Sequence, residues 1–145
     1  MAIRGNALVM QSGGSTAVLN SSLMGIVLEV QRNGGSRGVY GALHGLEGVL
    51  SGRIIDLSSY SGAKWRKIAR TPGAALGSSR RTLRDEDIPA IIDAISKYDI
   101  SYWFIIGGND SVETGRRISV AAKNAKKPTS VIAVPKTIDN DLILT

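Results

Sequence analysis

Tyr102-Trp103-Phe104-Ile105-Ile106-Gly107-Gly108-Asn109-Asp110-Ser111 sets the reading of the whole chain. An unbroken apolar run of this kind suits a parallel strand covered on both faces. Glycines end the run. A helical pattern follows, with Ile118, Ala121, Ala122 and Ala125 on one face. Strand, glycines, acid, hydroxyl and helix in that order describe a phosphate and metal site. Glycine lets the backbone come close to a ligand, and a helix N-terminus offers N–H groups and a positive dipole end.

The same grammar stands near the N-terminus. The apolar residues 7–10 end at Gln11-Ser12-Gly13-Gly14-Ser15-Thr16, and Leu19, Leu23, Ile26, Val27 and Val30 then share one helical face. That loop also reads as a plain tight turn, since its spacing is neither a dinucleotide fingerprint nor a P-loop. Gly34-Gly35 closes the helix, and residues 38–42 read as a short strand. Gly41, Gly45 and Gly48 then punctuate a loop-rich stretch that holds the only histidine, His44. Without cysteines or clustered carboxylates beside it, His44 reads as structural rather than as a metal ligand. Residues 54–57 are another short apolar run, and residues 63–70 a short helix. Its Lys64, Arg66, Lys67 and Arg70 make a solvated face.

Between these halves lies Gly77-Ser78-Ser79-Arg80-Arg81, a small-residue loop with guanidinium groups at its exit. Arginine reads phosphate by bidentate hydrogen bonds, although a flexible surface loop has the same composition. Asp85-Glu86-Asp87 then opens a helix, where acids suit the dipole, and Ile88, Ile91, Ile92 and Ile95 form its buried stripe. Pro128 resets the chain, residues 130–134 form a last strand, and Val134-Pro135-Lys136-Thr137-Ile138-Asp139-Asn140-Asp141 follows. Two carboxylates stand two residues apart there, with an ammonium and a hydroxyl just before them. Asp-Asn-Asp is equally good turn chemistry. The alternation of strands and helices predicts an α/β fold with a doubly wound, mostly parallel sheet in three layers. Such sheets place ligands at the C-terminal ends of their strands, so the glycine and acid motifs should converge on one edge.

Composition bounds the function. A chain of 145 residues with 43% apolar content is one globular domain by length. It has neither an apolar stretch long enough to cross a bilayer nor a secretory leader, so no membrane association is expected. Zero cysteines exclude a disulfide scaffold and thiolate metal sites. The formal charge of +6 favours anionic ligands such as phosphate esters and pyrophosphate. With aromatics at 5% and no basic stripe interleaved with rings, nucleic acid is not an expected partner.

Taken together, the residues resemble the N-terminal half of the phosphofructokinases. The resemblance covers nearly the whole chain. It rests on Ser12-Gly13-Gly14 with Asn20, on Gly77-Ser78-Ser79-Arg80, on Gly107-Gly108-Asn109-Asp110-Ser111, and on the motif from Pro135 to Asp141. It implies that residues 1–145 are a donor-binding domain whose substrate-binding partner domain lies outside this chain. It implies that the aspartate at 139 is the general base on the 1-hydroxyl of fructose 6-phosphate, with Lys136, Asp110 and Arg80 beside it in the catalytic group. Thr137, Ile138, Asp139 and Asp141 fall on the sugar-phosphate side, and Gly13, Gly14, Arg80, Gly108 and Ser111 on the donor phosphates. ATP-using bacterial members typically carry glycine where Asp110 and Lys136 stand. The aspartate and lysine found here resemble the pyrophosphate-dependent members, which transfer a phosphoryl group reversibly to give fructose 1,6-bisphosphate in glycolysis and gluconeogenesis. An ATP-using relative and a non-catalytic, phosphate-binding regulatory subunit are the alternatives.

Departures accompany the likeness. The family has aspartate as its Mg²⁺ ligand where this chain has Asn109, whose neutral carbonyl is a weaker ligand for a hard cation. Met24 and Leu28 stand where ATP-dependent bacterial members carry effector-binding arginines, so that effector site is expected to be absent. The family also implies a cytoplasmic enzyme whose full-length form is a homo-oligomer.

Overall fold

β1 (Asn6–Gln11) runs through the middle of a five-stranded sheet in the computed structural model, which describes residues 5–33 and 38–138. Gly34-Gly35 and the triplet Asp139, Asn140 and Asp141 lie outside the described residues. From β1 the chain enters α1 (Val18–Arg32) and returns as β2 (Val39–Ala42). α2 (Leu46–Leu50), β3 (Ile54–Asp56) and α3 (Gly62–Ala69) follow. A long irregular segment leads through a 3₁₀ turn, Asp85–Asp87, into α4 (Ile88–Lys97). β4 (Ile100–Gly107), α5 (Asn109–Asn124) and β5 (Ser130–Pro135) complete the described part.

The strand order is β3-β2-β1-β4-β5. β1 pairs in parallel with both β2 and β4, and β4 pairs in parallel with β5. The chain thus winds outward on one side of β1, then crosses to wind outward on the other. That reversal opens a crevice beyond the carboxyl ends of β1 and β4, the switch point where such sheets hold ligands.

Both faces of the sheet are covered. Alternate residues of a strand point to opposite faces. Leu8 and Met10 join Trp103 and Ile105 in one cluster with Ile91 and Ile95 of α4 and Ile118 of α5. Ala7 and Val9 join Ile106 in the other, with Leu19, Leu23 and Val27 of α1 and Trp65 of α3. Each such aliphatic side chain removed from water contributes about 1.5–3 kcal/mol before entropy is charged against it. The three-layer, doubly wound, mostly parallel architecture expected from the sequence is therefore observed.

Several local expectations need correction. The glycine-punctuated stretch contains α2, not loop alone. Gly48 sits inside that helix because a Cβ there would lie 1.9 Å from the Leu43 carbonyl oxygen. β3 runs antiparallel to β2, because the five-residue α2 between them is too short to carry the chain back to the start of the sheet for a parallel strand. Ala125 is exposed, because α5 ends at Asn124 and its periodic stripe ends with it. On α1 the polar Asn20 is buried, whereas Ile26 is only half-buried. On α4, Ala94 is buried with Ile91 and Ile95, and Ile88 and Ile92 are half-buried at the margin.

Candidate functional site

Three strand ends and one long loop build the site. At the end of β1 the Ser12 N–H donates to the Ile106 carbonyl at 2.9 Å, extending the β1–β4 pairing by one step. Gly13 then turns away at φ +77°, a conformation L side chains rarely adopt. Its N–H donates to the Ser79 carbonyl at 3.1 Å, and its own carbonyl accepts from Ser78 Oγ at 2.5 Å. The two small-residue loops singled out in the sequence are thus zipped together across 65 residues.

His44 has the structural role expected of it. Its N–H donates to the Leu76 carbonyl at 2.7 Å, and its ring covers Gly77, where a Cβ would meet Nδ1 at 2.5 Å. The loop passes this point and delivers Arg80 and Arg81 to different fates. Arg81 donates to Asp87 Oδ1 at 2.7 Å, and Asp87 also accepts from the Arg84 N–H at 3.0 Å. The Arg84 N–H, with the Arg81 guanidinium adding to it against burial, holds the Asp87 carboxyl below its ordinary range. Arg80 is exposed, with Nη2 3.8 Å from where a Gly14 Cβ would stand, and pairs with no carboxylate among the described residues.

At the end of β4, Gly107 lets α5 begin at once. A Cβ there would lie 2.1 Å from Ser111 Oγ and 2.6 Å from Ser111 Cβ. Ser111 is buried in the floor beneath that turn. Gly108 caps the helix, with Asn109 and Asp110 exposed on the first turn. The first N–H groups of a helix have no intrahelical partner, so this turn offers donors to an anion. At the end of β5 the Lys136 N–H donates to the Gly107 carbonyl at 2.9 Å. The Lys136 side chain reaches back across the sheet edge, and Nζ donates to the Gly14 carbonyl at 2.6 Å. It is among the few buried charged residues, at 9% exposure. Thr137 and Ile138 are exposed at the rim.

Residues 12–16, 79–82, 108–111 and 136–138 thus surround one open depression of about 670 Å³. Of the residues proposed from sequence, Gly13, Gly14, Arg80, Gly108, Asn109, Asp110, Ser111, Lys136, Thr137 and Ile138 all line it. Sequence reasoning did not find Glu113, Thr114 and Arg117, which also line it. Arg117 is held by the Leu83 carbonyl and by Asp85. Glu113 accepts two 2.8 Å hydrogen bonds from Arg116, which hold its carboxyl below the ordinary range. Among the described residues no three His, Cys, Asp or Glu gather to hold a metal ion. The Asn109 amide oxygen and the Asp110 carboxylate fit a cation that arrives on phosphate oxygens better than one held by protein alone. Among the described residues no helix is long and apolar enough to cross a membrane.

Comparison with known proteins agrees with this geometry. Residues 6–145 match the family model described as Phosphofructokinase. The chain is 39% identical over 141 residues to a pyrophosphate–fructose 6-phosphate 1-phosphotransferase of Rhodospirillum rubrum, covering 97% of this chain and 35% of that protein. It is 38% identical to the protein of the same name from Xanthomonas campestris, covering 97% of this chain and 34% of that one. The crystal structure of a pyrophosphate-dependent phosphofructokinase from Marinobacter aquaeolei superposes with a TM-score of 0.90 at 36% identity, over 99% of this chain and 36% of that one. The chain spans about a third of the length of the relatives it matches. A family match over residues 6–145, with relatives 36–39% identical over nearly the whole chain, establishes that the chain belongs to the phosphofructokinase family.

Proposed function

We propose that the whole protein transfers a phosphoryl group reversibly between pyrophosphate and the 1-hydroxyl of fructose 6-phosphate. In this reading residues 1–145 supply the donor-side domain, and the sugar-phosphate domain lies elsewhere in the protein. A homo-oligomeric, cytoplasmic enzyme belongs to the same proposal. The observation that carries it is Lys136, whose buried ammonium is 2.6 Å from the Gly14 carbonyl in the glycine loop. A cation that close to the loop suits a donor that ends there, because it stabilises charge on a departing orthophosphate.

The remaining residues take roles consistent with that placement. The backbone at Gly13 and Gly14 and the first turn of α5 receive the donor phosphates. Arg80, unpaired among the described residues, neutralises the transferred group. The P–O bond of pyrophosphate breaks as the sugar oxygen bonds to phosphorus. The hydroxyl proton passes to Asp139, and orthophosphate leaves. Thr137, Ile138 and Asp141 serve the sugar-phosphate side. Mg²⁺, when bound with the donor, would supply charge neutralisation, with Asn109 and Asp110 the residues placed to touch it. Asp110 adds bulk and negative charge at the helix start, which disfavours a donor that continues past its β-phosphate.

Steady-state rates of the full-length protein with both donors test this. Pyrophosphate should support turnover and ATP should not. Asp110→Gly should admit ATP without making a good ATP enzyme. Lys136→Gly should lower kcat with pyrophosphate more than it raises KM for the sugar phosphate. A wild-type preference for ATP refutes the proposal. Asn109 favours a second reading, a non-catalytic phosphate-binding subunit. Pyrophosphate binding without turnover of either donor would select it.

A further inference from the structure

Two buried carboxamides lie just below the site. Gln11, at the end of β1, is 0% exposed, and Asn20, on the buried side of α1, is 3% exposed. Gln11 Oε1 accepts from the Leu76 N–H at 2.9 Å, and its Nε2 donates to Asn20 Oδ1 at 3.2 Å. Asn20 Oδ1 also accepts from the Ala75 N–H at 2.7 Å, while Nδ2 donates to the Thr71 carbonyl at 2.8 Å. Three backbone groups of one segment therefore fix the orientation of both amides. Turning either amide over would face donor to donor or acceptor to acceptor. A buried polar chain in which every side-chain oxygen and nitrogen has a partner specifies one arrangement, and one with a partner missing is costly.

The segment so held has no regular structure from residue 71 to residue 84. It begins at Thr71, is gripped at Ala75 and Leu76, and within four residues carries Ser79 to Gly13 and Arg80 to the depression. Leu76 is its one buried side chain before Leu83. Apolar burial alone leaves the path between those two points poorly fixed.

We infer that Gln11 and Asn20 are positioning residues that set where Arg80 stands over the glycine loop, so that catalysis depends on them through Arg80. The inference rests on the donor-site reading given above. They touch no substrate themselves.

Isosteric variants of the full-length protein test it. Asn20→Asp keeps the acceptor for Ala75 but turns an oxygen toward the Thr71 carbonyl. Gln11→Glu keeps the acceptor for Leu76 but sets an oxygen against Asn20 Oδ1, so it should act in the same direction. Asn20→Asp is expected to speed amide hydrogen exchange across residues 71–81 by about tenfold or more, with exchange in β1 and β4 little changed. It should lower kcat with pyrophosphate by about tenfold while leaving KM for fructose 6-phosphate within about twofold. In an Arg80→Ala background the same change should lower kcat by less than about threefold, because the group it positions is gone. An equal loss with and without Arg80, or unchanged exchange across residues 71–81, overturns the inference. Should the wild type turn over no pyrophosphate, the function proposed above falls. Faster exchange in the variant would then still support the clamp, and unchanged exchange would still overturn it.

Discussion

Gly107→Ala offers a sharp test of how the turn from β4 into α5 is built. The added methyl would stand 2.1 Å from Ser111 Oγ, 2.6 Å from Ser111 Cβ and 3.3 Å from Ser12 Cβ. A hydroxyl can rotate away, but a Cβ fixed to the first turn of α5 cannot. The turn itself must therefore move off the end of β4. Overpacking of this kind costs about 1–3 kcal/mol. For a chain of this size that corresponds to a fall in Tm of about 3–10 °C. Removing the obstacle should rescue it: Ser111→Gly deletes both offending atoms, at a cost of about 0.5–1 kcal/mol for glycine in a helix. The double variant should be more stable than the sum of the single effects by at least about 1 kcal/mol. Chemical denaturation of the chain and its three variants gives all four numbers. A cost below about 0.5 kcal/mol for Gly107→Ala, or strict additivity in the double variant, refutes the close approach as the reason for glycine at this position.

Other expectations follow from the charges. The Asp87 carboxyl is held below the ordinary 3.8, chiefly by the Arg84 N–H and with help from Arg81. Its stabilisation is complete above that ordinary value and is lost as pH falls through the lower folded-state value. Asp87→Asn should therefore reduce stability at neutral pH and flatten the acid limb of a stability profile taken from about pH 5 to pH 2; an unchanged acid limb would count against the Arg84–Asp87 contact. In the full-length protein, Asn109→Asp should lower the Mg²⁺ concentration needed for half-maximal rate, and an identical Mg²⁺ titration would place residue 109 away from the metal. Ser78→Ala should raise KM for pyrophosphate several-fold by releasing the 2.5 Å bond that joins the two loops at Gly13, and an unaltered KM would show that the joint is dispensable.

The fold was legible because parallel strands covered on both faces must be apolar throughout. Residues 102–106 and 7–10 announce themselves, the first ending directly at Gly107 and the second separated from Gly13 by Gln11 and Ser12. Alternation with helices then determined that the motifs share one sheet edge. What escaped has physical reasons. α2 is five residues long, too short for a period, and its Gly48 answers a close approach to Leu43 that only the tertiary structure reveals. The antiparallel direction of β3 cannot be read from three residues. Gln11 and Asn20 were visible as letters, but their backbone partners lie 51 to 65 residues away, and nothing local shows that both amides are buried. The separation of Arg80 from Arg81 depended likewise on Asp87 reaching back to only one of them.

The central place of β1 also bears on how the chain is made. β1 leaves the ribosome well before β4, its parallel partner on one side, with Gln11 opposite Ile106. At 5–20 residues per second, roughly 5–20 s separate the synthesis of the two. Through that interval one edge of an apolar strand stands bare, a template for pairing with another chain. The first unit able to close, β1-α1-β2, cannot cover it. The half-made protein is thus a natural client for chaperones, and synonymous changes that slow translation between residues 57 and 99 should lower soluble yield while leaving the finished molecule unaltered.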